Sequence, residues 1–97
     1  MSLDLSKLEV VDNPIEHRFE AVVGDQVAYI AYARMGDTII YTHTEVPPAF
    51  EGKGVAGKLA QTVLDYARDQ QMRVVPSCPY VKRYIERHPE YQSLVAE

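Results

Sequence analysis

The sequence has few of the residues on which several protein classes depend. Cys78 is its single cysteine, which excludes an intrachain disulfide and a metal cluster held by thiolates alone. No apolar run approaches the roughly 20 residues that cross a bilayer. The first residues, Met1 to Lys7, lack the apolar segment of a signal peptide. We therefore expect a soluble, cytoplasmic protein that has no membrane partner.

Basic residues are outnumbered by acidic ones, 10 against 14, which gives a net charge of −4. This balance argues against broad binding to nucleic acid. The charge is uneven, because residues 1–51 sum to −6 and residues 52–97 to +2. An anion site in the second half is compatible with these sums, and so is an ordinary solvated surface.

Histidine is also scarce. The three histidines, with one cysteine, show no metal-ligand spacing, so we expect no metal site. His17 lies near a predicted strand start, and His88 precedes Pro89 at a predicted helix end. Both are interpreted as structural, which leaves His43 as the candidate for chemistry.

The length and composition indicate one folded domain. A chain of 97 residues, 46% hydrophobic and 25% charged, is typical of a single soluble globular domain, here residues 1–97. Runs rich in β-branched and aromatic residues, separated by short turns, predict an antiparallel meander. The predicted strands are residues 8–12, 19–23, 26–34 and 38–46. Alternation in the last of them predicts that His43 and Glu45 share a face with Ile39 and Tyr41.

The second half has a helical period. Apolar spacing predicts a helix over residues 55–70, a short strand over 73–75, and a last helix that begins at Pro79 and ends near His88. The predicted fold class is therefore α/β (α+β), with a mainly antiparallel sheet and two helices.

A glycine-rich turn, residues 51–58, precedes the first helix, and three motifs compete for it. The dinucleotide fingerprint fits Gly52, Gly54 and Gly57, but it needs a strand directly before it and an acid about 20 residues later. The Walker A motif fails because Leu59 stands where a magnesium-binding Ser or Thr is required. The third motif is Glu51-x-x-Gly54-x-Ala56.

This third motif resembles the acyl-CoA signature of the GNAT N-acetyltransferase superfamily, [Gln/Arg]-x-x-Gly-x-[Gly/Ala], although its first residue is acidic. The segments His43–Pro47, 75–81 and 88–91 resemble the minimal single-domain GNAT subfamily. The resemblance implies a GNAT-type fold, acetyl-CoA as cosubstrate, and acetyl transfer to an amine of a small molecule or protein. A non-enzymatic acyl-CoA-binding module is the alternative, and a thiol redox sensor is a more distant one.

The resemblance also implies which residues hold the cofactor. Helix N-termini carry unpaired backbone N–H groups, which suit a diphosphate. The expected cofactor contacts are Val46, Gly52, Lys53, Gly54, Val55, Ala56, Gly57, Lys58 and Tyr80. One of Lys82, Arg83 and Arg87 could meet the CoA 3′-phosphate, and the sequence does not choose among them.

Three residues are candidates for catalysis. Cys78 precedes Pro79 at a helix start, where the helix dipole favours an anion, and Lys82 four residues later could add positive charge. Cys78 is thus a candidate nucleophile or acid, or else a small buried hydrophobe. His43 is a candidate base for the acceptor amine, and Glu45 is the alternative base.

Overall fold

The sheet is built from five strands in the order β1-β2-β3-β4-β5. The computed structural model describes residues 5–96; the remainder of the predicted domain, residues 1–4 and 97, lies outside the described residues. The strands are β1 Val10–Asn13, β2 Arg18–Val23, β3 Gln26–Met35, β4 Thr38–Glu45 and β5 Arg73–Pro76. The α-helices are α1 Val55–Asp69 and α2 Pro79–Arg87, and short 3-10 segments span Leu5–Lys7, Pro48–Phe50 and Pro89–Leu94.

Each strand and α-helix predicted from the sequence is present, with bounds that differ by at most two residues. The strands β1 to β4 pair antiparallel through short turns, whereas β5 pairs parallel to β4 after the α1 crossover. The predicted class, a mainly antiparallel sheet with two helices, is confirmed. None of the helices in residues 5–96 has the length and apolar character needed to cross a membrane.

One face of the sheet is covered by α1. Helical spacing places the apolar residues of α1 on one side, and they are buried against alternate residues of the strands. Tyr41 is fully buried there, and its hydroxyl donates a hydrogen bond to the Val63 carbonyl at 2.6 Å. Full burial of a side chain such as Leu59 or Ile39 contributes about 1.5–3 kcal/mol. This packing fixes α1 over the end of β4.

The C-terminal segment holds α2 beside α1. Val81 and Ile85 of α2 are buried in the common core. After α2, the Tyr91 hydroxyl donates a hydrogen bond to Asp65 of α1 at 2.7 Å, and Val95 forms a parallel bridge with Val74 of β5. The start of α2 is thereby fixed close to the start of α1.

The face assignment predicted for His43 and Glu45 is wrong. Tyr41 pairs with Tyr32 and His43 pairs with Ala31, so Thr42 is an extra residue of β4. This β-bulge shifts the alternation of side chains by one position. His43 and Glu45 therefore lie on the face away from α1, opposite to Tyr41.

The same part of β4 separates from β5. The parallel ladder runs from Thr38 paired with Arg73 to Tyr41 paired with Pro76, whereas β4 stays paired with β3 as far as Glu45. Proline has no backbone N–H to donate, so Pro76 suits the end of a ladder. Beyond Tyr41, β4 no longer pairs with β5, and Cys78 of the following segment contacts Tyr41 and Thr44.

Candidate active site

A cavity of about 250 Å³ lies between the end of β4 and the N-terminus of α1. Its walls are small or apolar residues together with one carboxylate and one phenol. They are Val46, Phe50, Glu51, Gly52, Gly54, Val55, Ala56, Gly57 and Tyr80. The cavity therefore meets the helix end at the point where backbone N–H groups lack intrahelical partners.

Gly54 gives this helix end its shape. It is the N-cap of α1 with φ +88°, a left-handed conformation that favours glycine, and Gly52 has φ +76°. The first helical bond runs from the Lys58 N–H to the Gly54 carbonyl at 3.0 Å. A Cβ at Gly54 would lie 2.8 Å from the Leu5 side chain. The turn thus requires glycine for its left-handed conformation.

Seven of the nine residues predicted to contact a cofactor line this cavity. The two lysines of the turn, Lys53 and Lys58, do not. Phe50 and Glu51 complete the wall, and Glu51 holds the position at which the acyl-CoA signature has Gln or Arg. The charge contributed by the wall residues is therefore negative rather than positive.

Tyr80 is the residue of α2 that lines the cavity. Its hydroxyl lies 3.7 Å from the position that a Cβ at Gly57 would take. Burial raises the pKa of Tyr80, while the nearby charge of Arg87 acts in the opposite direction. The side chain of Tyr80 thus reaches from α2 to the first turn of α1.

Cys78 lies beside β4, just past the point where β4 and β5 cease to pair. It is the N-cap of α2, as predicted, and its backbone N–H donates to the Tyr41 carbonyl at 2.8 Å. The thiol is 3% exposed, and its Sγ lies 3.3 Å from Thr44 Oγ1. Lys82 lines a different depression, with Glu86 and Gln92. Thr44, rather than Lys82, is the polar side chain in contact with the thiol.

His43 and Glu45 form a pair on the other face of β4. The His43 Nε2 lies 2.9 Å from Glu45 Oε2, and both side chains are 58% exposed. The His43 ring lies 6.1 Å from the Tyr29 ring, over which the Arg18 guanidinium stacks at 4.4 Å. The structure thus brings the two candidate bases together and places them across the strand from Cys78.

Thr44 and Tyr29 were not predicted from the sequence as residues of the site. Both depend on the bulge at Thr42, which turns Thr44 toward Cys78 and turns His43 toward Tyr29. The strand contains no glycine that would mark a bulge. Phe50 of the cavity wall was also missed, and its position two residues before Gly52 was the available signal.

Comparison with known proteins identifies this arrangement. The family model of the GCN5-related N-acetyltransferases matches residues 18–94, which include β2 to β5, both α-helices and every side chain of the site. The chain belongs to this family. The predicted resemblance to GNAT enzymes is confirmed.

Individual relatives and a solved structure agree with the GNAT assignment. Protein NATD1 of Xenopus tropicalis is 34% identical over 68 residues, 69% of this chain and 62% of that protein. Protein NATD1 of Homo sapiens has the same identity over 68 residues, with coverages of 69% and 60%. The chain spans about three fifths of the length of these relatives. The NMR structure of a GCN5-like protein from Staphylococcus aureus is 28% identical, covers 94% of this chain and 90% of its own, and superposes with a TM-score of 0.72.

Proposed function

We propose that this protein transfers the acetyl group of acetyl-CoA to an amine. One observation carries the proposal: Val46, which directly follows β4, lines the cavity at the start of α1, and β4 itself bears the paired His43 and Glu45. One strand therefore links an anion-binding helix end with a candidate base. Membership of the GCN5-related N-acetyltransferases supports the same activity.

The cavity fits the diphosphate of CoA. Its walls at Gly54, Ala56 and Gly57 are small, so a ligand can reach the backbone N–H groups of the first helical turn. On the side of β5, residues 42–45 of β4 pair with no strand in residues 5–96. Their backbone groups are placed to bind the amides of the pantetheine arm, with the thioester toward Cys78.

The residues divide the chemistry between the two faces of β4. Amines are mostly protonated near pH 7, so His43 accepts a proton from the acceptor before attack, and Glu45 stabilises the charged imidazole. The amine nitrogen then bonds to the acetyl carbon, the carbon–sulfur bond breaks, and the CoA thiolate leaves and takes up a proton. Cys78 supplies that proton and regains one from the amine nitrogen, which loses a proton on becoming an amide; alternatively, the Cys78 sulfur takes the acetyl group from CoA and passes it to the amine.

An acyl-CoA-binding module without catalysis is the second candidate. The observation in its favour is the face that bears His43, where no side chain of the β-strands within residues 5–96 is buried. Val22 and Val27 on this face are 66% and 39% exposed. An open face of this kind suits a large acceptor, and it is equally compatible with a protein that binds acyl-CoA and has no acceptor.

Mass spectrometry with acetyl-CoA tests the proposal and separates the candidates. Native spectra report binding, denaturing spectra report acetylation of Cys78, and release of CoA thiol is measured with a polyamine, a lysine peptide and an arylamine. We expect a bound adduct and thiol release that depends on one of the amines. Binding without release by any amine supports the binding module, and a protein that binds no acetyl-CoA contradicts both candidates.

A further inference from the structure

One face of α2 forms a second cavity, of about 280 Å³. Its lining residues are spaced three, four, seven and eight positions from the first, so they form a single stripe along the helix. They are Tyr80, Arg83, Tyr84, Arg87 and His88, here called the α2 stripe. The stripe joins aromatic rings and guanidinium groups, a combination that suits a phosphorylated nucleoside.

The α2 stripe continues from the cavity at the start of α1. Tyr80 lines both cavities, and its hydroxyl lies close to Gly57 at the N-terminus of α1. The helical rise places Arg83 about 4.5 Å and Arg87 about 10 Å along α2 from Tyr80. A ligand whose diphosphate is held at α1 can therefore reach both arginines without leaving the surface.

The two arginines of the stripe differ from the others. Within residues 5–96, neither Arg83 nor Arg87 has an ion pair or a side-chain hydrogen bond. The other four arginines of the chain each have a partner in a side-chain hydrogen bond or an ion pair. Arginine binds phosphate through paired N–H donors, and these two guanidinium groups are placed to do so.

The aromatic part of the stripe is held in place. The rings of Tyr84 and His88 are stacked, with centroids 3.9 Å apart and an interplanar angle of 16°. The His88 Nδ1–H donates to the Tyr84 carbonyl at 2.8 Å, which fixes the imidazole against the phenol. The Tyr80 ring lies 6.5 Å from that of Tyr84. These rings form a wall on which a purine can stack.

We propose that the α2 stripe binds the 3′-phosphorylated adenosine of CoA, with Arg83 and Arg87 on the 3′-phosphate and the tyrosine rings against the adenine. The inference rests on the proposed function. It also decides among the three basic residues that the sequence left open, because Lys82 lines a different depression. The protein thereby distinguishes CoA from an otherwise identical molecule without the 3′-phosphate.

Titration calorimetry with CoA and dephospho-CoA, which lacks only the 3′-phosphate, tests this. We expect the wild-type protein to bind dephospho-CoA at least tenfold more weakly than CoA. The double variant Arg83→Gln/Arg87→Gln should lose most of this preference by weakening CoA alone. Lys82→Gln, on the same helix outside the stripe, should keep it.

The outcomes separate the inference from the proposed function. Equal affinity of the wild-type protein for the two ligands overturns the inference and leaves the proposed function standing. A wild-type protein that binds neither ligand overturns the proposed function itself. If Lys82→Gln loses the preference for CoA and the double variant keeps it, the 3′-phosphate binds on the side of α2 that bears Lys82. This result overturns the inference. Adenosine 3′,5′-bisphosphate should compete with CoA better than adenosine 5′-phosphate does, and equal competition contradicts recognition of the 3′-phosphate.

Discussion

The imidazole Nε2 of His43 lies 2.9 Å from the Glu45 carboxylate, on the face of β4 that is turned away from α1. The residue between them, Thr44, turns the other way and contacts the Cys78 thiol. The side chains of three successive residues of β4 thus alternate between the two faces of the sheet. Under the proposed function, the acceptor amine approaches from one face, while the acetyl group lies beside the part of β4 that does not pair with β5.

Replacement of His43 tests its role as the base. His43→Ala should lower turnover roughly a hundredfold, the usual range for loss of a general base, and should leave CoA affinity nearly unchanged. Glu45→Gln should cost less, about tenfold, because the carboxylate acts through the imidazole. Steady-state rates across pH are the measurement, and the limb due to the imidazole should vanish only in His43→Ala. If Glu45→Gln abolishes turnover while His43→Ala does not, Glu45 is the base.

Protection of Cys78 tests its proximity to the thioester. Iodoacetamide should label Cys78 slowly in the free protein because the thiol is buried beside Thr44. Saturating CoA should slow labelling further, at least tenfold, as followed by mass spectrometry. Cys78→Ser controls for other sites of modification. Identical labelling rates with and without CoA would place the thiol away from the cofactor.

We expect the Glu51 carboxylate to weaken the binding of CoA. Its carboxylate lines the cavity proposed for a diphosphate, and an exposed pair of charges contributes up to about 1 kcal/mol. Glu51→Gln should therefore bind CoA about two- to fivefold more tightly. Glu9→Gln, which removes an exposed carboxylate outside the cavity, should leave the affinity as it is. Weaker binding by Glu51→Gln would mean that the carboxylate accepts a hydrogen bond from the ligand.

A larger side chain at Gly57 should fill the cavity. Gly57 lies inside α1 with a negative φ, whereas valine at Gly54 would be strained by the left-handed conformation there. Gly57→Val should lower CoA affinity tenfold or more, equivalent to about 1.4 kcal/mol. Gln61→Val puts the same side chain on an exposed turn of α1, and calorimetry should show no change for it. A folded Gly57→Val protein with unchanged affinity would remove the diphosphate from this cavity.

The ion pair on the open face predicts a pH dependence of stability. The Arg18 guanidinium donates a hydrogen bond to Glu20 and lowers the pKa of that carboxyl, with a further contribution from Asn13. A lowered pKa in the folded state stabilises the protein above the ordinary carboxyl pKa, and this stability is lost as pH falls through the folded value. Glu20→Gln should thus lower the free energy of unfolding at pH 7, and the difference should close below about pH 4. Urea titrations at pH 7 and at a pH below about 4 measure this difference in the free energy of unfolding. Glu86→Gln, without an ion pair in residues 5–96, should differ little from wild type at either pH.

The sequence predicted the order of the elements because each has a local signal. The apolar period of the first helix, Pro79 at the start of the second, and the turn at Gly24 each act over a few residues. The glycine turn was placed at a helix start for the same reason, and the structure puts Gly54 at the N-cap. Local conformational preferences therefore suffice for the fold class and for the position of the cavity.

Only the tertiary structure decided which side chains lie on each face of β4. An extra residue at Thr42 is accommodated by pairing between β3 and β4, and no side chain in β4 signals it locally. This pairing reverses the expected side of His43 and brings Thr44 to Cys78. Likewise, the i, i+4 spacing put Arg83 and Arg87 on one side of α2, but only the packing of Val81 and Ile85 turned that side toward the start of α1. The sequence alone determined the helices and strands and the residue types that they carry. Contacts between distant segments determined which side chains meet, because burial and register depend on partners that no local window contains.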